Sequence, residues 1–409
     1  MMKKVVVTGL GAITPLGNNV DAFWNSIAAS KCGIDYIATF DTNNSNVKVA
    51  AEVKDYNWKN FFKPIDVKKT DRFTQLALVS SYEAFNDAGL NESNIDKERL
   101  AVVFGSSVGG STLGIEYNKL VNKGPAYVSP MTIPLNIVNM AAANISIKFQ
   151  AFGGSTSVIT ACSTGTDCIG QAFRQIKAGY SDIAIAGASE ACINPLLISS
   201  FDSLKAISRS TDPLRASIPF DNERNGFVLG EGSGTIILEE LDHALKRNAK
   251  IYAEVVGYGS TSDAYNIVSP DPSLHQGIRA IELALREAGI SYKDISYINA
   301  HGTGTKYNDK FESQIIEKIF YKDNNRVPVS STKSMTGHLL GASGAIESII
   351  CIKSLQDNFI PATIGFKEKD EDCNLDYVFH KGRKSMLNYV LSNSLGFGGH
   401  NASMIFKKL

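Results

Sequence analysis

Cysteine and histidine are scarce in this chain of 409 residues, at 6 each. The cysteines are Cys32, Cys162, Cys168, Cys192, Cys351 and Cys373, and no C-x-x-C pair occurs among them. That excludes zinc-ribbon and thioredoxin-type readings. Scattered thiols fit a large cytoplasmic protein better than a disulfide framework. The histidines lack H-x-x-x-H spacing, which argues against a zinc site. No run of about 18 apolar residues is present, so no membrane span is expected. The opening MMKKVVVTGLG leads directly into a strand and has no signal-peptide core. Charge of either sign is not in excess, with 41 basic and 41 acidic side chains. This argues against nonspecific nucleic-acid binding and leaves room only for a local basic patch. Nucleotide-binding signatures are missing too. GLGAITPLG places its third glycine wrongly and is interrupted by Pro15, and no P-loop occurs.

Short β-branched runs alternate with helical patterns. Strands are expected at 4–8, 100–104, 157–159, 183–186, 234–238, 253–257, 295–299, 328–330 and 404–407. Helices are expected at 74–88, 163–178, 275–288, 310–320 and 341–356. This is an α/β pattern with buried sheets. The second part of the chain echoes the first. KVVVTGLGAIT is matched by AEVVGYGSTSD, LAVVFGSSVGG by ISYINAHGTGT, and SVITACSTGTDCIG by SSTKSMTGHLLGASGAIE, in the same order. A duplicated α/β unit follows, with halves over 1–250 and 251–409.

A strand-like SVIT ends just before Cys162, and helical periodicity follows through Ile169, Phe173 and Ile176. A thiol at the start of a helix is favoured as thiolate by the dipole and the free N–H groups. The plain alternative is a small buried hydrophobe. Cys168 stands six residues on, about 120° around the helix from Cys162, so the two thiols do not converge and Cys168 reads as packing. His301 in YINAHGTGT and His338 in STKSMTGHLLGASGA follow strand-like or small-residue segments. Each, taken alone, reads as an ordinary hydrogen-bonded histidine. His243 and His275 read as charged helix surface.

TACSTGT, NAHGTGT, KSMTGHLLGASGAIE and NSLGFGGHN occur in the order and spacing of the condensing enzymes. Nearly end to end, the chain resembles the beta-ketoacyl-[acyl-carrier-protein] synthases of the type II elongating class. PFDNERNGFVLGEGSG adds to the likeness. The resemblance implies the thiolase-like fold, an αβαβα body of two related halves. It implies decarboxylative condensation of a malonyl group with an acyl group held on Cys162. His301 and His338 are then N–H donors to the malonyl thioester. The backbone N–H groups of Cys162 and Phe397 would hold the oxyanion, and Lys333 plays an electrostatic and structural part beside the histidines.

The same resemblance maps Thr303 and Thr305 to the phosphopantetheine arm and Phe201 to the cavity entrance. Val108 maps to the position that limits acyl length. Phe397, flanked by Gly396, Gly398 and Gly399, maps to a gate, with Gly398 counted among the substrate-contacting residues. Glu347 maps to an inner carboxylate. In some relatives this position, with Asn299, Ala300, Ser392 and Asn393, surrounds a structural monovalent cation. The family binds no cofactor of its own, and the phosphopantetheine is carried by acyl carrier protein. Lys63, Lys68, Lys69 and Lys205 map to the surface that docks this carrier. A homodimer is implied, with a heterodimer as the alternative. Three positions depart from the family pattern: Asp167, Lys306 and His400. They keep open a dedicated polyketide or polyene pathway as the alternative to fatty-acid elongation. A non-catalytic chain-length factor is disfavoured because Cys162 and both histidines are retained.

Overall fold

The computed structural model describes residues 3–323 and 325–409. It contains one ten-stranded mixed sheet. Its strands are β1 (Val5–Ile13), β2 (Leu100–Gly105), β3 (Ser155–Thr156), β4 (Ile183–Glu190), β5 (Gly232–Glu240), β6 (Ala253–Ser262), β7 (Ile295–Asn299), β8 (Val329–Ser330), β9 (Tyr389–Gly396) and β10 (His400–Lys407). The order across the sheet is β8-β7-β9-β10-β6-β1-β5-β4-β2-β3. Read inward from either edge, the first five strands and the last five follow one scheme. In both, two parallel pairings at the outer end give way to two antiparallel pairings. The schemes meet where β1 pairs with β6 over three residue pairs only, Val5–Val255, Val6–Glu254 and Val7–Ala253. That narrow seam makes one sheet of the two expected.

The principal helices are α1 (Val20–Ala28), α2 (Arg72–Asp87), α3 (Thr112–Lys123), α4 (Thr132–Asn136), α5 (Met140–Phe149), α6 (Thr164–Lys177), α7 (His275–Ala288), α8 (Lys306–Phe320) and α9 (Ser343–Asp357). α6 and α9 form the middle layer and pack against strands of both schemes in the largest apolar cluster. α2 and α5 cover one outer face, and α7 and α8 cover the other. α7 shows why such a helix forms. Gly277, Ala280, Ile281, Ala284 and Leu285 are its buried residues, an i, i+3, i+4, i+7, i+8 stripe. α9 is buried nearly all round, as a helix between two sheet faces must be.

The echo between KVVVTGLG and AEVVGYG has a packing cause. A Cβ on Gly9 or Gly11 would lie 2.2 Å from the Ala84 oxygen or 1.9 Å from that of Ser80, both on α2. On Gly257 or Gly259 it would lie 2.2 Å from the Ala284 oxygen or 1.9 Å from that of Ala280, both on α7. The same helix-on-strand approach therefore occurs twice, and each needs glycine on the strand.

Two expectations need correction. The strand expected at 157–159 lies at Ser155–Thr156, at the edge of the sheet. The segment 157–160 instead bends towards Cys162. β9 was not expected at all, because Ser392, Asn393 and Ser394 break its apolar pattern. Those polar residues are buried beside the site described next. Among the described residues, no helix is long and apolar enough to cross a membrane.

Candidate active site

Cys162 lies in a single 3-10 turn, Ala161–Ser163, that runs directly into α6. Ala161 is in the left-handed region at φ 51°, costly for a residue with a Cβ. Surrounding contacts hold the turn there. Ser163 Oγ donates to the Ser394 oxygen at 3.2 Å and the His400 oxygen at 3.0 Å. The Thr160 N–H donates to Thr164 Oγ1 at 2.9 Å. Gly396 packs so closely that a Cβ there would lie 2.8 Å from the Thr160 oxygen.

The thiol meets groups brought from the other end of the chain. His338 Nε2 is 3.1 Å from Cys162 Sγ, and His338 Nδ1 is 2.9 Å from Ser343 Oγ. The His301 ring stands edge-on to that of His338, with centroids 5.3 Å apart. Phe227 packs edge-on against His338, and Phe201 against Phe227. The Phe397 backbone N–H is aimed at the thiol. Lys333 is buried below. Its Nζ donates to the His301 oxygen at 2.6 Å, lies 3.4 Å from His301 Nδ1, and is ion-paired to Glu347. Glu312 accepts from the His301 N–H at 2.7 Å and the Gly302 N–H at 2.8 Å, fixing the backbone that carries the ring.

Burial dominates the electrostatics. It lowers both imidazoles well below their ordinary value, and the Lys333 charge lowers them further, so both rings are neutral near pH 7. Burial pushes the Cys162 thiol up to about 12, against the pull of Lys333 and of the Phe397 N–H. This reverses the expectation of a helix-lowered thiol: with only 8% of the residue exposed, desolvation of the anion outweighs the helix end. Glu347 and Glu312 are each raised to about 7 by burial, with Lys333 opposing in both cases.

A cavity of about 770 Å³ opens onto Cys162, His301 and His338. Val108, Phe201, Thr303, Thr305 and Phe397 line it, as do Lys205 and Lys306. Thr303 Oγ1 and Thr305 Oγ1 lie 3.0 Å apart. Gly398 is not part of the lining; at φ 82° it turns its N–H to the Ile267 oxygen, 2.7 Å away. Lys63, Lys68 and Lys69 are exposed on the segment around Pro64–Val67 and do not line the cavity. Cys168 is buried, with Sγ 3.6 Å from the Val158 oxygen, a packing position. All six cysteines are free.

Two residues that sequence reasoning missed hold the site. Glu190 is fully buried and accepts from the N–H groups of Ser107, Val108, Gly109 and Gly341 and from the Ser106 and Ser107 hydroxyls. Glu312 is the other. Neither stands in a distinctive motif, because each works by accepting backbone N–H bonds, which any sequence can supply.

Comparisons with known proteins cover most of the chain. The beta-ketoacyl synthase N-terminal domain family matches residues 2–244, and the C-terminal domain family matches 252–367. The 3-oxoacyl-[acyl-carrier-protein] synthase 2 of Synechocystis is 44% identical over 99% of this chain and 98% of its own. A beta-ketoacyl synthase from Burkholderia phymatum is 33% identical, covers all of both chains and superposes with a TM-score of 0.93. A type II polyketide ketosynthase, solved in complex with its acyl-carrier protein and bound to the hexaketide, is 32% identical over all of both chains, with a TM-score of 0.91. With thiol, paired imidazoles and buried lysine gathered at one cavity, and with family matches across most of its length, the chain belongs to the beta-ketoacyl synthase family.

Proposed function

We propose that this protein elongates fatty acyl chains by condensing malonyl-acyl carrier protein with an acyl group held on Cys162. The observation that carries this reading is the 3.1 Å contact between Cys162 Sγ and His338 Nε2, with His301 beside it at the floor of one cavity. In the first step Cys162 sulfur attacks the acyl thioester, its proton passes to the departing pantetheine thiolate, and one thioester replaces another. Because burial holds the resting thiol protonated, His338 Nε2 is the group placed to move that proton. Malonyl-carrier then enters. Loss of carbon dioxide leaves an enolate whose oxygen needs N–H donors. Two neutral imidazoles supply them, His338 as the Nε2–H tautomer with Nδ1 accepting from Ser343 Oγ, and one such donor is worth about 3 kcal/mol at a barrier. The carbanion attacks the acyl carbonyl on Cys162. The N–H groups of Cys162 and Phe397 take the oxyanion; its collapse breaks the bond to Cys162 sulfur, which leaves as thiolate and takes a proton from solvent, and releases a β-ketoacyl chain two carbons longer on the carrier.

Lys333 pairs with Glu347, holds the His301 backbone and adds to the burial that keeps both rings neutral. Thr303 and Thr305 face the cavity where a pantetheine arm would lie. Lys205 at the mouth, with Lys63, Lys68 and Lys69 on the outer surface, offers positive charge to an acidic carrier. Asn299 Oδ1 and Glu347 Oε2 are buried with no hydrogen-bond partner among the described residues. They are hard oxygen donors that fit the monovalent cation the family resemblance implies. A homodimer fits the exposed apolar side chains Leu113, Ile115, Tyr117 and Val121 on α3, together with the open edge at β3. The higher identity to the synthase 2 relative than to the polyketide enzyme favours fatty-acid elongation. Mass spectrometry of carrier-bound products tests the proposal, using purified protein, malonyl-carrier and a panel of acyl-carriers. Cys162→Ala should abolish condensation while malonyl decarboxylation continues; an elongated product from that variant overturns the mechanism.

A further inference from the structure

Asp167 stands three residues into α6 and is buried, 2% exposed. Its carboxylate belongs to neither the thiol nor the imidazoles. One oxygen accepts from Thr160 Oγ1 at 2.5 Å. The other accepts from the hydroxyl of Tyr258 on β6. Tyr258 is itself fixed. A Cβ on Gly170 would lie 2.4 Å from its ring, so the ring lies flat on α6. The Arg174 guanidinium covers it, 4.6 Å from the centroid, and donates to the Tyr258 backbone oxygen at 3.0 Å. Tyr258 pairs with Met404 on β10, whose first residue, His400, follows directly on the glycines after Phe397.

The pair of N–H groups that would hold the oxyanion comes from two separate places. The Cys162 N–H sits on the turn before α6, and the Phe397 N–H sits between β9 and β10. The turn is under backbone strain at Ala161 and needs outside contacts to stay in place. Its Thr160 carbonyl already packs on Gly396, next to Phe397. A carboxylate that holds Thr160 with one oxygen and the β6–β10 pair with the other ties the two places together.

We propose that Asp167 is a positioning residue for the oxyanion-holding N–H pair, locking the Thr160–Cys162 turn in register with the loop that carries Phe397. This rests on the condensing function proposed above. Acyl transfer and condensation both pass through a tetrahedral oxyanion at that pair. Decarboxylation uses the imidazoles, which Asp167 does not touch. Asp167 therefore acts on one step and spares the other.

The test is Asp167→Asn, with two rates measured in one preparation: acylation of Cys162 by acyl-carrier, followed by intact mass, and carbon dioxide release from malonyl-carrier. Charge-assisted hydrogen bonds are the stronger kind, and losing their alignment should slow acylation at least about tenfold more than decarboxylation. The KM for acyl-carrier should stay the same. Thr160→Val should show the same imbalance and, added to Asp167→Asn, little further loss. If Asp167→Asn does not fold, Thr160→Val and Tyr258→Phe carry the same comparison. Equal losses in both rates, or no loss in either, overturn the proposal. Failure of the unaltered protein to acylate Cys162 would instead refute the condensing function.

Discussion

Two turns face each other at the cavity floor, built on one backbone plan and used differently. Ala161–Ser163 runs into α6, and Leu340–Ala342 runs into α9. Each opens on a residue in the left-handed region, Ala161 at φ 51° and Leu340 at φ 44°. At the second position the first turn has Cys162 and the second has Gly341. A Cβ on Gly341 would lie 2.7 Å from the Ser107 nitrogen, and its N–H donates to Glu190 at 3.0 Å. One turn thus presents a side chain to the cavity. The other presents its backbone to a buried carboxylate and leaves the chemistry to His338 and Lys333 just upstream. A duplicated scaffold fixes backbone shape, and each copy is free to differ in what that shape displays.

The sharpest contrast is in titration. The thiol is held near 12 by burial, so below that value its thiolate fraction, and its alkylation rate, should rise about tenfold per pH unit. The imidazoles are lowered well below their ordinary value and should stay neutral across the same range. Iodoacetamide labelling of Cys162, read by mass spectrometry from pH 6 to 9, should therefore rise about a thousandfold without a plateau. A plateau near pH 7 would mean that the thiolate is stabilised at the helix start after all.

Lys333 is the group that serves both turns. Lys333→Met removes the charge that favours the thiolate and the donor that holds the His301 oxygen, and strands Glu347. Breaking a buried ion pair by removing one partner costs about 3–5 kcal/mol. Thermal unfolding should show that loss. Decarboxylation and acylation should both fall by about 100-fold or more, since a bond to the histidine backbone and a nearby charge are lost together. Acylation that is unchanged while decarboxylation falls would confine Lys333 to the imidazole turn.

Glu190 breaks the comparison from the other side, because it holds the Gly341 turn and the Ser106–Gly109 loop but not the Cys162 turn. Glu190→Gln puts an amide N–H₂ against N–H donors and should cost about 2 kcal/mol of stability in denaturant unfolding. Cys162 alkylation should not fall, and should rise somewhat, because the Glu190 charge opposes the thiolate. A fall in alkylation that matches the loss of stability would mean that the two turns are held as one unit.

The unequal legibility of the two turns has a physical basis. The Cys162 turn was readable because a strand-like run, a reactive side chain and an amphipathic helix stand next to one another. His301, His338 and Lys333 could be joined to it only through family resemblance, since the contacts that unite them span more than a hundred residues. The glycine-lined strands β1 and β6 showed as an echo because close helix packing demands glycine twice. β9 did not show, because a strand lining a polar site carries Ser and Asn where the pattern expects apolar residues. The thiol's acidity was misjudged because a helix end is visible in sequence and depth of burial is not.

Val108 offers the smallest effect and the finest test of what the Glu190-held loop is for. Its N–H is bound to Glu190 at 3.0 Å, and the residue lines the cavity. Because the backbone is pinned, a larger side chain at this position has to grow into the cavity. Val108→Phe should therefore shorten the longest acyl group accepted, while the rate with short acyl-carriers changes less than about threefold. Product lengths from a graded series of acyl-carriers decide it. A shorter cut-off means that Glu190 holds a chain-length wall. An unchanged profile means that the loop yields, so that the six hydrogen bonds to Glu190 serve the Gly341 turn and not the substrate.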